Sequence, residues 1–207
     1  MRIQQRQLSL GWSGVLIATL FMMLASGLIL YPKTTDENIL TALRLSSVTT
    51  AIPFLLVFIA KPLAVVASDL GRWVQSNRRY LWLILTISHL IHLYQILLYY
   101  QLGQSCPLIV WAITSPLWII MVLFAGGELS RPNFFAQIFP TRETRALNLL
   151  HGIGVWYVWL VFTLAFGLGT VAGHITFYNV PAFVLFLAGA IMHGILGWRR
   201  LRSKVTS

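Results

Sequence analysis

In the stretch "SHLIHLYQILLYY", residues 88–100, His89 and His92 stand three residues apart in an apolar run, with no charged neighbour nearer than Arg79. On a helix that spacing places both rings on neighbouring positions of one face. A titratable ring in such a setting is costly to bury unless something binds it. His151 and His193 fall in two further apolar runs, and His174 in a short loop. Neutral imidazole is the usual axial ligand of b-type haem. A flat macrocycle can be gripped between two helices of a bundle by one histidine from each. The competing reading is that each ring only hydrogen-bonds across helices. Zinc is the weaker metal reading, since no carboxylate or thiolate is placed to join the histidines.

The other reactive side chains exclude more than they suggest. The five acids, Asp36, Glu37, Asp69, Glu128 and Glu143, all fall in loops or at the ends of apolar runs. Paired carboxylates for hydrolysis, and carboxylate relays through a core, are therefore not expected, and no nucleophile–base–acid set stands out. The single cysteine, Cys106, allows neither an intrachain disulfide nor a Cys-based metal site. No Gly-rich dinucleotide fingerprint follows a strand pattern, and the chain has no room for a flavin domain.

The elements that must position these residues are membrane helices. Of 207 residues, 57% are hydrophobic and only 10% charged, against about a quarter charged in soluble proteins. Mean hydropathy is +0.77. Apolar runs of about 20 residues, enough to span a bilayer, recur along the chain at about 12–31, 46–68, 79–101, 107–126, 146–170 and 176–198. The expected fold is all-α: one polytopic six-helix transmembrane bundle over residues 1–207. The first run is read as a retained helix rather than a signal peptide. Pro53, Pro62 and Pro116 are expected to mark kinks or ends.

The net charge of +10 reflects sidedness rather than a nucleic-acid partner. Arginines cluster before span 1, between spans 2 and 3 (Arg72, Arg78, Arg79), between spans 4 and 5 (Arg131, Arg142, Arg145) and after span 6. The positive-inside rule then puts both termini in the cytoplasm. A multi-pass protein of the bacterial cytoplasmic membrane, in contact with lipid headgroups, is the expectation.

Three stretches resemble the ferric reductase-like transmembrane family, in particular its small haem-binding, quinone-linked subunit of the bacterial periplasmic methionine-sulfoxide reductase system. They are "FLLVFIAKPLA" in span 2, "RRYLWLILTISHLIHLYQILLYY" in span 3 and "RALNLLHGIGVWYVWLVF" in span 5. The likeness covers about residues 45–165. It implies haem b, with His92 and His151 as axial ligands and His89 and His193 in reserve. Arg78 and Arg79 would pair with haem propionates or with a quinone or flavin headgroup. The chain departs from the pattern where members carry a second histidine on span 5, since Thr163, Leu164 and Ala165 stand there. At most one haem follows.

Depth sets a further condition. At 1.5 Å per residue, His92 lies roughly 20 Å past Arg79, and His151 only about 9 Å past Arg145. His193, about 9 Å before Arg199 by the same rise, would match His151. The two family-like motifs nevertheless favour His92 with His151. The expected function is electron transfer, from quinol or a separate reductase to a soluble or membrane redox partner. The chain would then be the electron-transfer subunit of an oxidoreductase. The alternative is a non-catalytic complex subunit, assembly factor or small-molecule carrier whose histidines only link helices.

Overall fold

In the computed structural model of the chain, the described residues are 9–31, 33–66, 68–129, 144–171 and 178–205. They form seven helices and no strand: α1 (Gly11–Leu30), α2 (Asp36–Val66), α3 (Ser68–Ser76), α4 (Arg78–Gln101), α5 (Leu108–Leu129), α6 (Thr144–Val171) and α7 (Asn179–Val205). All but α3 are long and apolar enough to cross a membrane. The expected all-α architecture, with six helices able to span a membrane, is therefore present. His174, Arg131 and Arg142 lie outside the described residues.

The burial pattern is that of a chain solvated by hydrocarbon. Large apolar side chains face outward, among them Ile17, Leu28, Leu168 and Ile191. Polar ones turn in, including Ser46, Thr50, Ser88, His89, Gln95 and Glu128. In lipid a polar group must find its partner inside the protein.

Helix α2 is the hub, packing against α1, α3, α4, α6 and α7. It begins ten residues before the expected start of span 2. Thr35 Oγ1 accepts from the Asn38 amide at 3.3 Å, as an N-cap does. Asp36 and Glu37 occupy the first turn, where the helix dipole favours anions. Its 31 residues reach about 46 Å, longer than the hydrocarbon core of about 30 Å.

Pro53 and Pro62 lie inside α2, and Pro116 lies inside α5. None of them ends its helix. Pro62 has no N–H to give the carbonyl four residues back, that of Phe58. His193 of α7 takes that place, with Nε2 2.7 Å from the Phe58 oxygen. Around this level Phe54, Phe162, Phe166 and Phe186 stack ring on ring to make the centre of the core.

The short α3 had no counterpart among the expected spans. It folds back on the end of α2, and a Cβ at Gly71 would fall against the backbone of Ala64. Only glycine allows that approach. Buried Asn77 then joins three elements. Its Nδ2 donates to the Trp73 carbonyl at 2.9 Å, and its Oδ1 accepts from the Leu10 amide at 2.6 Å.

Candidate functional site

The four span histidines fall into two groups along α4. At the Arg78 end, His151 Nε2 lies 2.8 Å from the Arg78 guanidinium. Arginine can only donate, so Nε2 is the acceptor and the hydrogen of a neutral ring sits on Nδ1. The imidazole stacks on Phe124 at 4.5 Å and meets the edge of Trp82 at 6.5 Å. Glu128 closes this cluster from the last turn of α5, 3.8 Å from Arg78 Nε and 6% exposed. Its burial was not expected, because span 4 was drawn to end at about 126. The helix runs one turn further and carries the carboxylate inside.

Arg79, the next residue, points elsewhere. Its guanidinium lies over the rings of Trp12 and Tyr80 at 5.6 and 5.8 Å, a cation–π arrangement at the start of α1.

Nearly four turns further along α4, His92 Nδ1 lies 2.7 Å from Ser46 Oγ of α2. Ser46 Oγ also donates to Gln95 Oε1 at 2.6 Å, and Gln95 Nε2 donates to Ser26 Oγ of α1 at 2.9 Å. Just below, Ser88 Oγ meets Thr49 and Thr50 at 2.9 and 2.8 Å. This polar seam holds α1, α2 and α4 together. Its signal was in the sequence: Ser88, His92 and Gln95 follow i, i+4, i+7, one helix stripe. Sequence reasoning singled out the histidine and passed over Gln95.

His89 is set apart. Its ring stacks on Trp118 at 3.8 Å and runs near-parallel to that of His92 at 5.7 Å. It is 7% exposed, and among the described residues neither ring nitrogen has a hydrogen-bond partner. It borders a cavity of about 210 Å³ shared with His92, Thr114, Phe162, Tyr178 and Asn179. An engineered apolar cavity of about 150 Å³ accepts benzene, and drug-sized ligands occupy about 300–1,000 Å³. The space therefore suits one substituted six-membered ring.

The structure does not bring His92 and His151 together. His151 packs at the level of Trp82, ten residues or about 15 Å along α4 from His92. One nitrogen of each ring already faces a protein partner. Haem iron needs both imidazole nitrogens within coordination distance on opposite faces of one macrocycle. The donor set as placed does not fit a haem held between these two residues. The reserve His193 is engaged with Phe58, and the cavity beside the reserve His89 is smaller than a porphyrin requires. Among the described residues no group of three or more histidine, cysteine or carboxylate ligands converges on one point. Comparison with protein families, curated proteins and solved structures finds no match to this chain.

Proposed function

We propose that the protein is a multi-pass membrane protein that binds the headgroup of a quinone or quinol inside its helix bundle, as part of a quinol-linked electron-transfer system. The observation that supports this reading is His89, a buried imidazole at the edge of a ring-sized cavity, with neither nitrogen partnered among the described residues. An unsatisfied buried polar group costs about 1–3 kcal/mol, and a bound ligand that hydrogen-bonds to the ring offsets that cost. Phe162 and Leu117 supply apolar walls, while Thr114 and Asn179 add polar groups. A bilayer-soluble ring with oxygen substituents matches that mixture. Under the positive-inside orientation, Arg78 marks the cytoplasmic end, and the cavity lies in the half of the bundle away from it.

The test is a titration of detergent-purified protein with decylubiquinone and its reduced form, followed by calorimetry. Saturable binding is expected, weakened about tenfold in His89→Leu by the loss of one hydrogen bond. Absence of binding in both redox states would overturn the proposal. A second reading then takes over, supported by His92, His151 and His193 each bonding to another helix. In that reading the histidines are cross-links in a non-catalytic membrane subunit.

A further inference from the structure

The hydrogens around Ser46 can be counted. Its hydroxyl carries one hydrogen and has three neighbours: Gln95 Oε1 at 2.6 Å, the Leu43 carbonyl at 3.0 Å and His92 Nδ1 at 2.7 Å. Two of those three are oxygens that only accept. Gln95 turns its other end to α1, where Nε2 donates to Ser26 Oγ at 2.9 Å. The Ser46 hydrogen is thus drawn toward an oxygen and away from His92. With the Ser46 hydrogen given to an oxygen, the short His92–Ser46 contact is a bond that Nδ1–H donates. A neutral His92 keeps its lone pair on Nε2, the nitrogen left to meet a ligand where this ring borders the cavity.

His89 differs from its neighbour in having no partner at either nitrogen among the described residues, so its N–H can be offered to a ligand oxygen. Two residues that line the cavity thus differ in kind: His92 carries a fixed lone pair on Nε2, and His89 an N–H to offer. A hydroquinone hydroxyl both donates and accepts, whereas a quinone carbonyl only accepts. Against a quinone carbonyl, the fixed lone pair of His92 would meet another lone pair.

We propose that Ser46 and Gln95 are positioning residues that lock His92 in its Nδ1–H tautomer and thereby make the cavity selective for the reduced, hydroxyl-bearing form of its ligand. This rests on the quinone-binding reading. The site holds quinol through the His92 Nε2 lone pair and releases the oxidised form, the order of affinities a quinol-oxidising site needs.

The experiment has two arms on the full chain in detergent. In the first, ¹⁵N spectra of protein labelled at histidine, with His92 assigned by its loss in His92→Leu, should show hydrogen on Nδ1 and none on Nε2. In Ser46→Ala the ring should become a mixture of tautomers, and Ser46→Thr, which keeps the hydroxyl, should restore the single form. In the second, the affinities of decylubiquinol and decylubiquinone are compared by calorimetry under anaerobic conditions. Quinol should bind about tenfold more tightly, as one hydrogen bond gained against one lone-pair conflict implies. That ratio should fall toward one in Ser46→Ala and persist in Ser46→Thr. Hydrogen on Nε2 in the wild type, or quinone binding as tightly as quinol, overturns the tautomer lock and leaves quinone binding standing. Failure of both forms to bind overturns the lock together with the reading beneath it.

Discussion

His193 Nε2 sits 2.7 Å from the carbonyl oxygen of Phe58, the residue four positions before Pro62. A proline inside a helix leaves that carbonyl without its usual amide, and in hydrocarbon an unpaired carbonyl has no water to turn to. The histidine is the substitute donor and ties α7 to α2.

That relationship predicts a coupled pair. His193→Phe should lower stability by about 1–3 kcal/mol, the cost of a buried unsatisfied acceptor. Pro62→Ala restores an N–H for Phe58, so the double variant should recover much of the loss. Thermal unfolding in detergent reads the cycle, and strictly additive effects would remove His193 from this role.

Arg78 joins α4 to both α5 and α6, through Glu128 and His151. Arg78 is only partly buried, but its loss leaves the buried Glu128 carboxylate without this cation, at a cost of about 1–3 kcal/mol. Arg78→Ala should therefore unfold at a markedly lower temperature, or fail to accumulate in the membrane. Arg78→Lys should rescue little, because a point charge lacks the planar fork that reaches two partners. A lysine variant of wild-type stability would show that the cluster is not held this way.

Haem gives a third prediction. His151 packs beside Trp82, about 15 Å along α4 from His92, so protein purified from cells supplied with a haem precursor should lack the bands of bis-histidine low-spin haem. A low-spin spectrum that disappears in both His92→Ala and His151→Ala would restore the pair as ligands.

Gly71 offers a test of the fold itself. A side chain there runs into the Ala64 backbone, which cannot yield as a flexible side chain would. Gly71→Ala should cost about 1–3 kcal/mol, as overpacking does, and loosen α3 from α2. Unchanged thermal stability would show that α3 does not pack there.

Orientation can be read from Cys106, the chain's one cysteine, in the partly exposed loop between α4 and α5. With the arginine-rich ends inside, a membrane-impermeant maleimide should label it in intact cells. Labelling only after the membrane is opened would reverse the topology.

Local composition alone determined the helical character of the chain and its six helices long and apolar enough to cross a membrane. Runs of apolar residues longer than about 18, with their few charges at the ends, can satisfy their backbone in lipid only as helices. It also marked the span histidines as the polar side chains that need a partner. Only the packing of the helices decided which partner each one met. The family-like motifs favoured pairing His92 with His151, but the depth of a residue in a bundle depends on how each helix slides against its neighbours. That register left the two at different levels. The same packing gave His193 to the Phe58 carbonyl, His151 to Arg78 and His92 to Ser46. Among the described residues it left His89, one of the two reserve ligands, with both nitrogens unpartnered beside a cavity. Glu128 and Gln95 escaped notice for the same physical reason. A residue's spacing fixes the helix face it occupies, while what that face meets is set by a neighbour many residues away.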